Sequence, residues 1–255
     1  MKLRIAAGKA AIAALLLLTI LAGPLAAQQD RYEETVGVSA KARDLFNKAQ
    51  RLEQAGKGEE AIKAYREAIR LEPNYAEAYT QMGLSYANQN QFDEAVKAFR
   101  EVVRLQPQSG AAHGNLGAAY MKMGRFSEAR NAFREGVRRH PEDAEAHYDL
   151  GLALGRLKRD QEALAEFAQA VKLQPDMGRA HLNLGLAYFN LNRLQEARMS
   201  LQEAAALEPK NPQAHYALCV YYARTGDAQA ADREFKILQG LDKNLAQKLA
   251  EPVRK

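Results

Sequence analysis

Two consecutive stretches decide the fold: GAAHGNLGAAYMKMGRFSEARNAFREGVRRHPED at residues 110–143 and AEAHYDLGLALGRLKRDQEALAEFAQAVKLQPDM at residues 144–177. Each stretch is 34 residues long, and the two align without a gap, so that Pro141 in the first matches Pro175 in the second. A fixed period of this length indicates a stack of small structural units rather than one globular core.

The same step recurs along most of the chain. Since only 8 of the 255 residues are proline, four successive matches at one spacing would arise by chance on the order of once in a million. The period is therefore a property of the fold. Its markers are Pro73, Pro107, Pro141, Pro175 and Pro209, together with Ala61, Ala95, Ala129, Ala163, Ala197 and Ala231.

Apolar positions inside each unit predict two helices. At about 100° per residue, positions four, seven, eight and eleven fall on one face of a first helix. In a second helix, an alanine and an aromatic residue four positions later form one stripe, as Ala129 and Phe133 do. Small glycine and alanine residues let the two helices approach closely. One pair cannot bury its own apolar faces, so the pairs must stack.

This pattern resembles the tetratricopeptide-repeat (TPR) family, which carries Leu-Gly at positions seven and eight and an aromatic residue at position eleven. Leu116-Gly117, Leu150-Gly151 and Leu184-Gly185 match the first feature, and Tyr86 and Tyr120 match the second. The resemblance implies an all-α fold, a right-handed superhelical solenoid of stacked antiparallel helix pairs. About six TPR units, called repeats one to six below, are predicted at 42–75, 76–109, 110–143, 144–177, 178–211 and 212–245, which together form a solenoid over 42–245.

The residues before the repeats have the layout of a signal peptide. A basic start with Lys2, Arg4 and Lys9 precedes an apolar run at residues 10–22 and a small-residue site that ends at Ala27. The run has 13 residues, whereas a membrane-spanning helix needs about 20. We therefore predict a signal peptide at 1–27, export through the Sec pathway and a periplasmic or secreted chain that begins at Gln28. An uncleaved inner-membrane anchor is the alternative.

Shorter segments flank the solenoid. Residues 28–41 are polar and are predicted to form a loosely ordered N-terminal segment. Residues 246–255 are predicted to form a C-terminal cap or tail, with the apolar pattern at 241–249 extending the last helix.

Charge and composition limit the kinds of partner. The formal net charge is +5, but three of the basic residues lie in the predicted signal peptide, which leaves 33 basic against 31 acidic residues. So small an excess does not favour binding to a phosphate backbone, and nucleic acid is not expected as a partner. A membrane contact is expected only if the signal stays uncleaved.

Enzyme activity is not predicted. The sequence contains no nucleophile elbow, zinc-protease motif or phosphate-binding glycine loop, and no cofactor, metal or small-molecule substrate is implied. Four histidines share position four. Stacked helices lie about 8–10 Å apart, whereas zinc ligands lie about 2.0–2.1 Å from the metal, so this row is expected to consist of packed rings. Its members are His113, His147, His181 and His215.

The candidate binding surface is the face of the first helices at positions two, five, six, nine and thirteen, called the inner face below and predicted to be concave. Position six carries amides, which can hold a peptide backbone because they both donate and accept. The row resembles the asparagine ladder of O-linked N-acetylglucosamine transferases, although asparagine is also common there in the TPR family. Positions five and nine are largely apolar, and position thirteen is partly basic. The predicted contacts are Asn115, Tyr148, Leu152, Asn183, Leu186, Lys122 and Arg156.

Two functions are compatible with these features. The first is an exported adaptor that holds an extended segment of another protein on the inner face, in envelope assembly or secretion. The second is a membrane-tethered structural spacer whose partner packs on the opposite, convex side. Either function makes a protein or peptide the expected partner.

Overall fold

The structure is a computed structural model that describes residues 38–250. The predicted signal peptide at 1–27, residues 28–37 of the polar segment and residues 251–255 lie outside this range. Within the described range all regular structure is helical, which confirms the all-α prediction. The helices are α1 (Ala40–Gln54), α2 (Gly58–Leu71), α3 (Ala76–Asn88), α4 (Phe92–Leu105), α5 (Gly110–Lys122), α6 (Phe126–Arg139), α7 (Ala144–Arg156), α8 (Asp160–Leu173), α9 (Gly178–Asn190), α10 (Leu194–Leu207), α11 (Pro212–Thr225), α12 (Ala228–Leu241) and α13 (Lys243–Ala250).

The contacts divide the described chain into two compact units, one that ends at Ser85 and one that begins at Tyr86. In the first unit, α1 packs against α2. The Phe46 ring lies 5.6 Å from the Tyr65 ring and 5.1 Å from the Tyr75 ring. This aromatic cluster is the core of the first unit.

The second unit is a stack of helix pairs. Each of the helices α5, α7, α9 and α11 packs against the helix that follows it, and because the connecting turns are short the two partners are antiparallel. The second helix of one pair also packs against the first helix of the next, as α6 does with α7 and α8 with α9. The predicted solenoid of stacked helix pairs is therefore confirmed.

Glycine at position eight sets the distance between the two helices of a pair. A Cβ atom built on Gly151 of α7 would lie 2.6 Å from Cε1 of Phe167 on α8, and one built on Gly117 would lie 2.6 Å from Phe133. Real Cβ atoms do not approach other atoms so closely. The close approach of the two helices that the small residues predict is therefore present, and an aromatic ring of the second helix lies directly against the glycine.

The first helix of every repeat is followed by a residue in the left-handed conformation at position fifteen. Five of these six residues are Gly or Asn, the types that tolerate positive φ best. Lys158, with φ of 60°, is the exception, and this conformation costs an ordinary residue about 1–2 kcal/mol. The six residues are Gly56, Asn90, Gly124, Lys158, Asn192 and Gly226.

Side-chain N-caps begin three of the first helices. The Ser109 hydroxyl accepts a hydrogen bond from the Ala112 backbone N–H, and the Asp143 carboxylate accepts bonds from two backbone N–H groups of α7. The Asn211 side chain accepts from the backbone of α11, which has Pro212 in its first turn. These caps satisfy donors that a helix start leaves unpaired and so fix where α5, α7 and α11 begin.

Two details at the ends of the described chain differ from what the sequence suggested. Val38 is buried and Ser39 caps α1, so the end of the polar segment at 38–41 is ordered. Residues 241–249 do not extend the last helix, because α12 ends at Leu241 and the extended Asp242 interrupts it. The Asp242 carboxylate accepts a hydrogen bond from the Leu245 backbone N–H and so caps the start of the separate helix α13. Such a side-chain bond competes with the backbone bonds that would continue α12.

Helix α13 covers the end of the stack. It packs against α11 and α12, where Ala246 joins Cys219 and Leu238 in a buried cluster. Cys219 stands where repeats two to five have the position-eight glycine, and burial raises the pKa of its thiol to about 11. The thiol is thus part of the packing.

Candidate functional site

The histidine row ties each first helix to the turn before it. Nε2 of His147 lies 3.0 Å from the Pro141 carbonyl oxygen, and the corresponding distance from His181 to Pro175 is 2.9 Å. A carbonyl oxygen only accepts, so Nε2 carries the donated proton. In repeat four, Nδ1 of His147 also lies 2.6 Å from the Glu166 carboxylate.

These bonds give the histidines a structural role. His113, His147 and His215 are buried and His181 is half-buried, so the prediction of packed rings is confirmed, while the bond to the proline carbonyl was not foreseen. Among residues 38–250, no three His, Cys, Asp or Glu side chains meet in the way that a metal ion requires.

An amide of the inner face already forms hydrogen bonds within the protein. Nδ2 of Asn183 donates to the Tyr148 hydroxyl at 3.2 Å and to the Arg179 carbonyl oxygen at 2.9 Å. Both protons of this amide are therefore used within the protein, and its carbonyl oxygen is the group left to accept from a bound segment. Asn115, at the same position two repeats earlier, is half-buried.

Tyr148 is buried beneath the side chains of the inner face. It is 9% exposed, its ring lies 5.9 Å from the Phe167 ring, and the Arg179 guanidinium lies over it at 4.8 Å. Burial raises the pKa of the phenol. Leu182, at the same position of the next repeat, is also buried. Position five thus contributes little to the open surface that the sequence suggested for it.

Position nine supplies the exposed apolar surface. Leu186 is 38% exposed, Ala118 is exposed, and Leu152 and Val220 are half-buried. Because these residues share one position on four successive first helices, they form a row, called the apolar strip below. A row of partly exposed apolar side chains of this kind is a candidate interaction surface.

Position thirteen places positive charge beside the apolar strip. Lys122, Arg156 and Arg224 are exposed, and no ion pair involves them among the described residues; they are called the basic edge below. The Arg156 guanidinium lies 4.5 Å from the centre of the Phe126 ring, and that of Arg224 lies 4.5 Å from the Phe189 ring. Stacking on aromatic rings holds these two guanidinium groups in place without neutralising them.

Neighbouring arginines show the contrast. Arg125 is paired with Glu128 at 2.6 Å, and Arg193 is paired with Glu196 at 2.8 Å. Both pairs join residues three positions apart at the start of a second helix. The charge of the basic edge is thus available to a partner, whereas the charge of these arginines is compensated locally.

One acidic residue interrupts the amide row. Asp149 occupies position six of α7 and is half-buried, and no hydrogen bond or ion pair reaches its carboxylate from the rest of the described chain. Burial raises the pKa of Asp149 to about 6, and the Asp143 carboxylate adds to the rise. The inner face therefore combines an apolar strip, a basic edge and one uncompensated acid.

The 34-residue period, the helix pairs and the glycine-to-ring contact define a tetratricopeptide-repeat protein. Comparison with family models gives a match over residues 5–249 to the "Cilia and flagella-associated protein 70 C-terminal domain". The chain belongs to this TPR family.

Solved structures share the fold. MamA from Desulfovibrio magneticus RS-1, residues 41 to the end, is 29% identical with a TM-score of 0.63 over 68% of this chain and 98% of its own. YrrB, described as a TPR protein with an unusual peptide-binding site, is 22% identical with a TM-score of 0.62 over 74% of this chain and 99% of its own. PilF from Pseudomonas aeruginosa is 17% identical with a TM-score of 0.70 over 85% and 99%.

Two further findings concern curated proteins and the helices themselves. No curated protein matches the chain. In the described part of the chain, no helix has both the length and the apolar content that crossing a bilayer requires.

Proposed function

We propose that the chain is an exported scaffold that holds an extended segment of another protein on the inner face of repeats three to five. The observation that carries the proposal is the apolar strip lying beside the basic edge. The two features run along the same helices, so one extended segment can contact both. The fold can serve this purpose, since YrrB, which shares it, is described as having a peptide-binding site.

The geometry indicates the conformation of the bound segment. Stacked helices lie about 8–10 Å apart, and an extended chain advances about 3.3 Å per residue, so the segment crosses one repeat for roughly every three residues. Side chains on one side of an extended segment are an even number of residues apart, so Leu152 and Leu186 then contact apolar side chains two or four residues apart. The Asn183 carbonyl oxygen accepts a backbone N–H between them, which makes binding tolerant of the segment's sequence.

Charge complementarity indicates its composition. Lys122, Arg156 and Arg224 lack acidic partners within the described residues, so a segment with acidic residues along one side gains attraction at no cost in broken ion pairs. We therefore propose a partner segment that is locally unfolded, apolar on one side and acidic on the other.

Reversal of the basic edge tests this composition. The partner segment is first recovered by affinity capture from the exported fraction. We expect Lys122→Glu/Arg156→Glu to weaken its binding by about tenfold at low salt, because the introduced glutamates then face the acidic residues of the segment. The matched control is Arg134→Glu/Arg198→Glu, which reverses two exposed charges on second helices. Equal affinities for the two double variants, measured by calorimetry, would exclude the basic edge from the site.

Export is proposed from the sequence of residues 1–27, and the mass of the mature chain tests it. We expect the intact mass of the protein in the exported fraction to correspond to a chain that begins at Gln28, because signal peptidase cuts after small residues. A chain that keeps Met1 and sediments with membranes would instead support the tethered spacer.

A further inference from the structure

Asp149 lies where the inner face has amides in the neighbouring repeats. It occupies position six of α7, and the same position carries Asn115 on α5 and Asn183 on α9. A carboxylate there can only accept hydrogen bonds, whereas an amide also donates. Asp149 therefore requires a hydrogen-bond donor or a cation from a bound segment, whereas the neighbouring amides can also bind an acceptor.

No group of the described chain compensates this carboxylate. On its own helix the nearby charges are Asp143 and Glu145, both of the same sign, and the adjacent Tyr148 hydroxyl already accepts from Asn183. On the next first helix, Arg179 is ion-paired with Glu145 and lies over the Tyr148 ring.

Glu166 on α8 and the basic edge are not partners of Asp149 either. On the paired helix α8, Glu166 is bonded to His147. The basic edge is seven positions further along each first helix, or about 10 Å at 1.5 Å per residue. Neither group forms an ion pair with Asp149 among the described residues.

An uncompensated, half-buried carboxylate is costly in the free protein, and a cation from a ligand removes this cost. We infer that Asp149 is a specificity-determining residue that binds the side chain of a lysine or arginine in the bound segment. This inference rests on the proposed function of the inner face. It adds one basic residue, at a fixed place, to a segment that is otherwise apolar and acidic.

A peptide selection tests the inference and does not require the natural partner. The probe is a phage-displayed library of random peptides about twelve residues long, enough to cross roughly four repeats in extended form. It is selected at about pH 7.5, where a group with pKa near 6 is ionised, on the wild type, on Asp149→Asn and on Leu152→Ser/Leu186→Ser. All three proteins are first shown to be folded by circular dichroism.

We expect the wild type to enrich peptides with a basic residue at a constant distance from an apolar one, and Asp149→Asn to enrich apolar and acidic peptides without this basic residue. A synthetic peptide from the wild-type selection should bind Asp149→Asn about tenfold more weakly than the wild type. Its affinity for the wild type should fall as the pH is lowered from about 7.5 to about 5, because the carboxylate becomes protonated, and its affinity for Asp149→Asn should stay constant.

Two results would overturn the inference in distinguishable ways. Selected peptides that need Leu152 and Leu186 but show no basic residue, or that bind more tightly at low pH, would mean that Asp149 does not bind a cation, while the proposed function stands. Selected peptides that bind the leucine variant as well as the wild type would contradict the proposed function itself.

Discussion

Gly151→Ala is expected to destabilise the second unit by about 1–3 kcal/mol, the usual cost of forcing an extra carbon into a packed core. The added Cβ would lie 2.6 Å from Cε1 and 2.7 Å from Cδ1 of Phe167, a residue that is only 4% exposed. Helix α7 must then move away from α8. A lower urea midpoint by far-ultraviolet circular dichroism would show the effect.

A matched control lies one turn further along α7. A Cβ built on Gly155 meets no atom within 4 Å, so Gly155→Ala should raise the free energy of unfolding by up to about 1 kcal/mol, and the midpoint slightly with it, because alanine favours a helix over glycine. If the two variants unfolded at the same denaturant concentration, glycine at position eight would not set the distance between the helices.

Leu152→Ser/Leu186→Ser is expected to weaken binding of the partner segment by roughly tenfold. Burying a fully exposed leucine stabilises a complex by about 1.5–3 kcal/mol, but binding can bury only the part of each side chain that is still exposed, so the two leucines together contribute about 1–2 kcal/mol, and 1.4 kcal/mol is tenfold in Kd. Leu186 is 38% exposed and Leu152 is half-buried. Calorimetric titration of the variant with the captured segment measures the change.

Met199→Ser is the control for this double variant. Met199 is 67% exposed on α10, a second helix, and so its substitution removes a larger exposed apolar surface from outside the inner face. We expect the Kd of this variant to equal that of the wild type. A loss of binding in Met199→Ser together with unchanged binding in the leucine variant would place the partner on the second helices.

Much of the fold was predictable because it depends on local periodicity. The contact of Gly151 with Phe167 follows from the two helical faces, and the caps at Ser109 and Asp143 follow from a polar residue directly before a helix. The left-handed residues at position fifteen were also readable, because Gly or Asn stands there in five of six repeats. Repeat four departs from this pattern, because Lys158 stands at its position fifteen.

The details of the candidate site were less predictable because they depend on distances between repeats. Position five lies at the border between the inner face and the contact with the next repeat, and helical angles alone cannot say that Tyr148 is covered. The bond from Asn183 to Tyr148 joins residues 35 positions apart and depends on their rotamers. The start of α13 at Lys243 was missed because the apolar spacing at 241–249 suits both a continuous helix and a new one.

Site-specific photocrosslinking tests the central claim most directly. A photoreactive benzoylphenylalanine is placed on the apolar strip in Ala118→benzoylphenylalanine and on a second helix in Met199→benzoylphenylalanine; both positions are exposed. We predict that the captured partner segment is crosslinked from residue 118 and not from residue 199. Crosslinks from residue 199 alone would contradict the assignment of the inner face as the binding surface.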